Sequence, residues 1–455
     1  MSSDIKKQHR DSFTSSFGVL AATLGSAVGL GNIWKVPYLT GANGGAGFLL
    51  IYLLATLAIG LPVMIAEIAI GRRGHANPIT ALQTIAPHQG PWWLIGVAGM
   101  IGSFLIVSFY SEVAAWVFAY VIKALGGTLL SSDPNVTAAA FEALIQHPLR
   151  SLIWQWVVLG LIGGILTMGV TKGIEAVTKR LMPLLFLLLL VLCGVSLSLE
   201  QAATGLAFLF KPDFSRLTTT AVLTAMGLAF FKLSIGMGTM MTYGSYFKRE
   251  QNIPVTAFRV MCADMAVSLL AGIAIFPAVF TFGFAPEAGP SLVFITLPAV
   301  FSQLPMGQAF MAAFFVLTAV AATGALLSLI EVPVAILHER LRISRRRATA
   351  LTLTLLALPS AGAALSQSLL ANTRIAGLNL FELFDFLSSN IVLPVGGIFI
   401  ALFVGWVWGR NNFRAALSND GLLANQQLAN AIFILLRYIS PILILLIMGK
   451  GLKLF

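Results

Sequence analysis

The sequence predicts an all-α, polytopic membrane protein in which two of the spanning helices are broken. Of its 455 residues, 58% are hydrophobic and only 10% are charged, and the mean hydropathy is +0.91. A soluble core of this size does not need so few charges, and the apolar stretches are long enough to span a bilayer. Two of these stretches, Leu24–Pro37 and Phe230–Tyr246, are interrupted by glycines and a lysine. Their corresponding positions in two hydrophobic halves indicate a transporter site made by inverted repeats.

The first interrupted stretch reads LGSAVGLGNIWKVP and ends at Pro37. Glycine costs about 1 kcal/mol relative to alanine inside a helix, and proline has no backbone donor. In a bilayer, freed backbone groups are tolerated only where they are buried in protein or line a cavity. We therefore predict a break over Val28–Gly31 whose amides and carbonyls face a ligand. The alternative is that the small residues only allow close helix packing.

Eleven spanning helices are predicted, taken here in chain order. They are helix 1 over about Phe13–Tyr38, helix 2 over Phe48–Ile70, helix 3 over Pro91–Leu125, helix 4 over Leu152–Val170, helix 5 over Leu181–Leu199, helix 6 over Thr220–Phe247, helix 7 over Val255–Phe284, helix 8 over Ala309–His338, helix 9 over Ala348–Leu365, helix 10 over Leu380–Trp408 and helix 11 over Leu428–Met448. Gly126–Pro148 is predicted as a polar loop, and Ala285–Gly307 as a proline-punctuated loop that has room for a short helix.

Basic residues cluster on one side of the predicted spans. They are Lys6, Lys7, Arg10, Arg72, Arg73, Lys172, Lys179, Arg180, Lys248, Arg249, Arg340, Arg342, Arg345, Arg346, Arg347, Arg410 and Arg414. The positive-inside rule then places the N-terminus in the cytoplasm of a cell (inner) membrane protein, and an odd number of spans places the C-terminus outside. This asymmetry explains the net charge of +11 without a nucleic-acid partner.

Motifs along nearly the whole chain carry a family resemblance. They are GSAVGLGNIWKVPY, ANGGAGFL and LPVMIAEIAIGRRG in helices 1 and 2, SFYSEVAAW in helix 3, FFKLSIGMGTMMTYGSY in helix 6 and LSSNIVLPVGG in helix 10. Together they resemble the neurotransmitter:sodium symporter family, and eleven helices resemble its bacterial branch with the leucine-transporter fold. The resemblance implies two inverted five-helix repeats, about 13–199 and 220–408, with an extra helix over about 428–448. It also implies uptake of amino acids or related amines by alternating access.

The resemblance places a substrate site on helices 1, 3, 6 and 8. Its positions are Ser26, Ala27, Gly29, Gly31, Ile106, Tyr110, Phe231, Ser234, Met237 and Leu329. Unpaired amides at a broken helix can accept a carboxylate, and unwound carbonyls can accept an ammonium group. Met237 has a flexible thioether where some relatives carry an aromatic ring, which favours a roomy pocket for a hydrophobic amino acid. The alternative for Phe231 and Met237 is simple core packing.

The resemblance also implies two gates. Lys35 and Asp385 match an outer ion pair, although the family usually has arginine at the first position, so the forked geometry of a guanidinium is lost. Arg10 and Glu339 match a cytoplasmic pair, with Phe13 in place of a neighbouring tryptophan. The alternative is that Arg10 and Glu339 are ordinary interfacial charges.

Both sodium sites of the family are altered in this sequence. The positions of the first site are Ala27, Asn32, Lys232 and Ala263, and those of the second are Gly25, Val28, Ala321, Gly324 and Ala325. The family has a hydroxyl at the position of Lys232, an amide at that of Ala263, and hydroxyls at the last two positions of the second site. Thr323 would restore one hydroxyl if the alignment shifted by one residue.

Lys232 places an ammonium group where the resemblance implies a sodium ion. Two cations about 4 Å apart repel each other by several kcal/mol even at an effective dielectric constant near 20. Three hypotheses for Lys232 follow. It replaces the ion and contacts the substrate, or it titrates and so couples transport to protons. Alternatively, it is a structural charge paired with Glu67, Glu112 or Asp264. We favour the first reading. Glu112 lies two residues beyond Tyr110 on helix 3, which is a rotation of about 200° around the helix. The two side chains therefore do not face the substrate together.

The sequence thus predicts a secondary active transporter, in one domain over 1–455, for a small amino acid or related amine of hydrophobic character. Sodium-independent transport, coupled to protons or to nothing, is one alternative, and a membrane sensor that binds its ligand without transport is another. No enzyme constellation is found, because the histidines are scattered in loops and at helix ends. The predicted partners are the substrate and the lipid bilayer, a homodimer is left open, and no cofactor is expected beyond the doubtful sodium ion.

Overall fold

The computed structural model describes residues 11–86, 90–129, 131–284 and 292–454. Over these ranges the chain is helical, and its only β-type pairing is an isolated bridge between Ile375 and Leu378. Among the residues that the structure describes, nine continuous helices are long and apolar enough to cross a membrane, and helix 1 adds a bent pair. Helix 6 consists of two shorter pieces. The prediction of an all-α membrane protein with two broken helices is confirmed.

The spanning helices have the following bounds in the structure. Helix 1 is Ser16–Ala27 and Gly31–Ala42, helix 2 Ala46–Gly74, helix 3 Pro91–Leu125, helix 4 Pro148–Thr167, helix 5 Val170–Leu197, helix 6 Thr219–Lys232 and Thr239–Gly244, helix 7 Ile253–Thr281, helix 8 Gly307–Arg340, helix 9 Arg345–Leu365, helix 10 Leu380–Trp408 and helix 11 Gln426–Gly451. Helix 5 shows the largest difference from prediction, since it begins at Val170 rather than Leu181. Its first turns carry charges, which hydropathy alone reads as loop.

The two breaks lie where the glycines predicted them. The halves of helix 1 are bent by 54° around Val28–Gly29, and the backbone of Val28 is extended. In helix 6 the chain unwinds between Lys232 and Thr239, with left-handed φ angles of 83° at Gly236 and 77° at Gly238. Glycine adopts such angles without the steric cost that a Cβ brings.

Five shorter helices connect the spans. They are Pro78–Ile85, Pro134–Ile145, Ala202–Phe210, Leu297–Ser302 with the turn before it, and Arg410–Leu417. The predicted polar loop Gly126–Pro148 thus contains a helix, which begins with Asp133 as its N-cap and Pro134 in its first turn. This Asp-Pro-Asn signal is typical of a helix start and was visible in the sequence.

Helices 1, 3, 6 and 8 form the centre of the molecule. Helix 8 packs along helix 3 over most of its length. In the most apolar stretch of helix 8, 89% of the residues are buried inside the protein. Helix 1 packs against helices 5, 7 and 8, while helix 6 packs against helices 2 and 11. Helices 4 and 9 also pack on each other, outside the pair formed by helices 3 and 8. The exact limits of the two repeats, 13–199 and 220–408, stay a prediction.

Glycines let helix 2 approach the second half of helix 6 with backbone against backbone. A Cβ added at Gly71 would overlap the Met241 carbonyl oxygen, and one added at Gly244 would lie 2.5 Å from the Ile68 carbonyl oxygen. The second half of helix 6, Thr239–Gly244, is short and forms few hydrogen bonds within itself. This close contact therefore fixes its position.

We expect Gly71→Ala to destabilise the protein, with Gly160→Ala as the matched control. Overpacking a filled core costs about 1–3 kcal/mol, and the added methyl group of Gly71→Ala meets a rigid carbonyl. Nothing lies within 4 Å of the Cβ position of Gly160, which is also inside a helix. A thermal-melt assay in detergent should show a lower midpoint for Gly71→Ala alone. Equal midpoints for the two variants would contradict the packing argument.

Candidate functional site

A small cavity lies between the two breaks, and the ten predicted substrate positions line it. Its lining is Ser26, Ala27, Gly29, Gly31, Ile106, Tyr110, Phe231, Ser234, Met237 and Leu329, together with Lys232 and Ala325. The cavity volume is about 40 Å³, whereas ligand pockets usually measure about 300–1,000 Å³. An amino acid therefore fits only if the mobile side chains of the lining, such as Met237, move.

Helix 1 exposes its backbone to this cavity at the break. Two amides freed there find side-chain partners: the amide of Gly29 donates to Oδ1 of Asn32 at 3.0 Å, and that of Leu30 donates to the Tyr110 hydroxyl at 2.9 Å. A Cβ at Gly29 would lie 2.8 Å from the same hydroxyl. Glycine at this position is therefore what lets Tyr110 reach the broken backbone.

Helix 6 is held open by two contacts. Ser234, in a left-handed conformation with φ 53°, donates from Oγ to the Ser26 carbonyl at 2.7 Å, which ties the two breaks together. The amide of Gly236 donates to Oε1 of Glu67 at 2.6 Å. Glu67 lies on helix 2 and is fully buried. A buried carboxylate that accepts a backbone amide satisfies a donor that the unwound chain cannot pair by itself.

Lys232 ends the first half of helix 6 and forms a buried ion pair with helix 7. Its Nζ lies 2.8 Å from Oδ1 of Asp264 and 3.3 Å from Oγ of Ser268. The side chains of Lys232 and Asp264 are 1% and 0% exposed. Of the three carboxylates considered from the sequence, the structure therefore pairs Lys232 with Asp264.

Asn32 completes this cluster from helix 1. Its Nδ2 donates to Oδ1 of Asp264 at 2.8 Å and to Oγ of Ser268 at 3.0 Å, while its Oδ1 accepts from the amide of Gly29. We call Asn32, Lys232, Asp264 and Ser268 the ion-pair cluster. The cluster joins the broken parts of helices 1 and 6 to the continuous helix 7.

Ala263 is not the residue of helix 7 that reaches the cluster. Asp264 and Ser268 do so, while Ala263 lies about 100° around the helix from Asp264 and has only a methyl group. Which helix 7 residue corresponds to the family's amide position stays a prediction, but the structure places Asp264 and Ser268 in the cluster. A signal was available in the sequence, because Asp264 and Ser268 form an i,i+4 polar pair in an otherwise apolar stretch of helix 7.

The positions of the second sodium site bring helices 1 and 8 into direct backbone contact. A Cβ at Gly324 would lie 2.6 Å from the Gly25 carbonyl oxygen. Thr323, one residue away, donates its hydroxyl to the Ala319 carbonyl of its own helix at 2.8 Å. Val28, Ala321 and Ala325 are buried and their side chains carry no oxygen, so these positions offer only backbone carbonyls.

The outer gate residues are not joined. Among the described residues, Lys35 and Asp385 make no ion pair with each other. The Nζ of Lys35 lies 4.3 Å from the centre of the Phe231 ring, and Asp385 accepts from Oγ of Ser389 at 2.9 Å. Lys35 thus contacts a residue that lines the cavity directly, as a cation over an aromatic face.

On the basic side, Glu339 accepts hydrogen bonds from the amide and Nδ2 of Asn77 at 2.8 and 2.9 Å. Arg10 lies outside the described residues, so the predicted pair with Glu339 stays a prediction. Phe13 is buried and makes edge contacts with the rings of Tyr243 and Tyr246. It therefore fills an aromatic position at the start of helix 1.

The start of helix 1 is also fastened to helix 5. Glu175 is 1% exposed and accepts from the amide of Thr14 at 2.8 Å and from its hydroxyl at 2.6 Å. Lys179 pairs with Glu175 at 2.6 Å. The sequence did not identify Glu175, because a single carboxylate among the charges at the basic end of helix 5 resembles a solvated face.

Glu112 does not line the cavity. Its Oε1 accepts from Nε1 of Trp116, one turn along helix 3, at 2.7 Å. This agrees with the expected rotation away from Tyr110. In the part of the chain that the structure describes, no group of three or more His, Cys, Asp or Glu side chains is arranged to hold a metal ion.

The chain is similar to known transporters over nearly all of its length. The model of the sodium:neurotransmitter symporter family matches residues 10–147 and 145–455. An uncharacterized sodium-dependent transporter of Bacillus subtilis, YhdH, is 38% identical over 96% of both chains, and a Haemophilus influenzae relative of the same description is 35% identical over 88% of this chain and 90% of its own. The rat sodium- and chloride-dependent GABA transporter 2 is 26% identical over 89% of this chain and 74% of its own.

A solved structure also matches. The crystal structure of MhsT in complex with L-phenylalanine superposes with a TM-score of 0.89 at 40% identity, and the match covers 97% of this chain and all of MhsT. The expected fold is therefore confirmed. The same arrangement of helices extends over almost every residue of the chain.

We expect Glu67→Leu to reduce substrate binding by about 5- to 150-fold, because a buried donor left unpaired costs about 1–3 kcal/mol. Leucine removes the acceptor of the Gly236 amide, whereas Glu67→Gln keeps an oxygen at that place and serves as the control. Binding of labelled substrate to purified protein measures both variants. The role assigned to Glu67 is wrong if leucine and glutamine give the same affinity.

Proposed function

Because the chain belongs to the sodium:neurotransmitter symporter family, we propose that it takes up a hydrophobic amino acid by alternating access, with a built-in ammonium group in place of the first sodium ion. The observation that carries this proposal is the Lys232–Asp264 pair at the edge of the substrate cavity. The basic residues on one side of the spans support a cell-membrane protein with a cytoplasmic N-terminus.

The lining of the cavity supports an amino-acid substrate. Freed backbone groups and the Tyr110 hydroxyl provide polar partners at one side. Ile106, Phe231, Met237 and Leu329 provide an apolar side, and a flexible methionine adapts to ligands of different shape. The complex of MhsT with L-phenylalanine supports the same class of ligand for this chain. An amino acid fits these two sides of the cavity when its amino and carboxylate groups lie beside the helix break and its apolar side chain points toward Met237.

The groups at the first sodium position do not fit a sodium ion. Sodium needs oxygen ligands, but Lys232 directs an ammonium group into the cluster and Asn32 directs its Nδ2 hydrogens there. The Oδ1 of Asn32 is already taken by the Gly29 amide. An ion at that place would meet hydrogen atoms and a second positive charge. The lysine ammonium itself supplies the positive charge that a substrate carboxylate needs.

The second sodium position gives independent support. Its helix 8 residues are Gly324 and Ala325, which have no hydroxyl, and the neighbouring Thr323 hydroxyl is engaged within its own helix. Gly324 lies directly against the Gly25 carbonyl. The side chains of Gly324 and Ala325 therefore supply no oxygen ligand at the second position.

Uptake into proteoliposomes tests this function. We expect labelled hydrophobic amino acids to enter vesicles containing the purified protein when choline replaces sodium on both sides, at a rate within about twofold of that in sodium. Protein-free vesicles provide the control. A strict need for sodium would refute the replacement by Lys232, whereas binding without entry would indicate a ligand sensor.

Restoring the family's side chains should restore a response to sodium. The double variant Lys232→Thr with Asp264→Asn removes both charges and leaves a hydroxyl and an amide oxygen beside Asn32, which are ligands that a hard cation prefers. We expect its substrate affinity to rise with sodium concentration. Lys232→Thr alone leaves Asp264 buried without its positively charged partner and should lose transport, because breaking a buried pair costs about 3–5 kcal/mol. A double variant that ignores sodium would contradict this reading.

A further inference from the structure

We propose that the groove between helices 10 and 11, at the basic side of the spans, binds an anionic phospholipid whose phosphate pairs with Arg437. This inference goes beyond the proposed function, because it names a second ligand outside the substrate cavity and does not depend on which substrate or ion is transported. Three observations support it. They are an arginine without a partner, an aromatic frame around that arginine, and an apolar stripe that continues from it into the membrane.

Arg437 lies at the level where helix 10 leaves the membrane. The centre of its guanidinium group is 4.2 Å from the centre of the Trp406 ring system, and Trp406 lies two residues before the end of helix 10 at Trp408. Two helical residues correspond to a rise of about 3 Å. Arg410 and Arg414, which belong to the basic side, follow directly. Arg437 is therefore close to the interface on that side, where lipid phosphates lie.

Among the described residues, no acceptor pairs with the guanidinium group of Arg437. Its Nε is buried and has no hydrogen-bond partner, and its two terminal nitrogens also donate to no protein group and are not buried. An arginine at membrane depth is costly unless it pairs with an anion or a carbonyl group. Two terminal N–H groups in one plane match two oxygens of a phosphate. An anion from outside the protein would therefore supply the missing partner.

The surroundings of Arg437 carry basic rather than acidic groups. Arg410 and Arg414 lie on the connecting helix that packs against the start of helix 11. Beyond Asp385, the sequence contains one acidic residue, Asp420, which lies between helices 10 and 11 and pairs with an arginine of helix 2. The parts of helices 10 and 11 that form the groove therefore contain no carboxylate that would repel an anionic headgroup.

Two aromatic rings frame the guanidinium group. Besides Trp406, the ring of Tyr438 lies 5.4 Å from it, and the two rings meet edge to face. Nε1 of Trp406 donates to the Arg437 carbonyl at 3.3 Å, which fixes the ring relative to the arginine. Gly405 permits this approach, because a Cβ there would lie 2.8 Å from Cα of Arg437. A guanidinium group held in place before binding loses less entropy when a ligand arrives.

The exposure of both rings also fits a lipid interface. Trp406 is 57% exposed and Tyr438 is 51% exposed. Tryptophan and tyrosine are enriched at membrane interfaces, because one end of each side chain is apolar and the other is polar. The two rings therefore face the headgroup region on either side of the arginine.

An apolar stripe continues from Arg437 toward the opposite side of the membrane. Its members are Phe399, seven residues before Trp406 on helix 10, and Ile442 and Leu445 on helix 11, and all three are exposed. Helices 10 and 11 pack against each other along this stretch, so the exposed side chains border one groove. The acyl chains of a lipid held at Arg437 reach this stripe, whereas a free phosphate ion would not use it. The occupant is therefore a phospholipid.

Other arginines of the basic side are engaged within the protein. Arg72 donates to backbone carbonyls of two connections, Arg73 pairs with Asp420, and Arg345 pairs with Glu331. These arginines fasten helices to neighbouring segments. The unpaired guanidinium group between helices 10 and 11 does not have this role, which leaves its charge available for a ligand.

Lipid binding to the purified, delipidated protein tests the proposal. Native mass spectrometry counts the molecules of phosphatidylglycerol or phosphatidylcholine that bind from mixed micelles at equal concentration. We expect phosphatidylglycerol to bind at least about fivefold more tightly, since one arginine near the surface contributes about 1 kcal/mol to the attraction of anionic lipid. Equal affinity for the two lipids would overturn the proposal.

Arg437→Gln and Arg346→Gln form a matched pair of variants. Arg346 is exposed at the start of helix 9 on the same side, so both substitutions remove one positive charge there. We expect Arg437→Gln to lose the preference for phosphatidylglycerol, Arg346→Gln to keep it, and Arg437→Lys to retain part of it. An equal loss in both glutamine variants would show a general effect of charge and contradict the site.

The aromatic frame gives a second pair of variants in case Arg437→Gln does not fold. Trp406→Leu removes one ring of the frame, and Trp156→Leu removes a similarly exposed tryptophan on helix 4. We expect weaker binding of phosphatidylglycerol in Trp406→Leu alone. Unchanged binding in both variants would contradict the role of the frame.

Thermal melts separate a lipid from a free phosphate ion as the occupant. A ligand that binds the folded state raises the melting midpoint. We expect phosphatidylglycerol to raise the midpoint of the unmodified protein but not that of Arg437→Gln, and millimolar inorganic phosphate to raise neither. A rise with inorganic phosphate that disappears in Arg437→Gln would indicate a site for the free ion and overturn the lipid. None of these measurements uses transport, so a failure of uptake would refute the proposed function and leave this inference standing.

Discussion

The structure depends on one constraint: every backbone group freed by the breaks in helices 1 and 6 must find a partner inside the protein. No lipid supplies hydrogen bonds, so an unpaired amide at mid-membrane costs several kcal/mol. Here Asn32, Tyr110 and Glu67 accept from three freed amides, and Ser234 ties one break to the other. The helices that carry these side chains are thereby fixed around the breaks. The substrate cavity is the space that remains between them.

The same breaks explain why an ion pair can exist in the middle of the membrane. Lys232 ends a half-helix, so its side chain leaves the helix toward helix 7 rather than toward lipid. Asp264 and Ser268 accept hydrogen bonds from the ammonium group, and Asn32 donates to both of these acceptors. Buried pairs seldom add stability over a well-packed apolar core, because desolvation offsets most of the attraction. A function that requires charge at this place is therefore a better explanation of the pair than stability.

Much of the fold and of the cavity could be predicted from the sequence, for physical reasons that particular residues show. Glycines inside apolar stretches carry a backbone cost, so the breaks near Gly29 and Gly236 were visible. The polar starts of helices were misread: the charged first turns of helix 5 and the capped helix after Asp133 resembled loops. On helix 7 the resemblance singled out Ala263, whereas Asp264 and Ser268 are the residues that reach the cluster. The contacts of Asn32 and Lys232 with Ser268 could not be assigned without knowing which helices meet.

On the proposal that Lys232 replaces the first sodium ion, the differences at the two predicted sodium positions are one change rather than two. A transporter that carries its positive charge on Lys232 cannot leave that charge behind when the substrate is released, whereas a sodium ion departs with its substrate. The return of the empty protein then depends on Lys232 finding another anion, and Asp264 is the carboxylate within reach. A second sodium ion would add a charge that this internal exchange does not need. The direct contact of Gly324 with the Gly25 carbonyl instead lets helices 1 and 8 close on each other without an ion between them. The Lys232–Asp264 pair and the contact of Gly324 with Gly25 are then two consequences of one replacement, in which the charge of Lys232 takes the place of a sodium ion from solution.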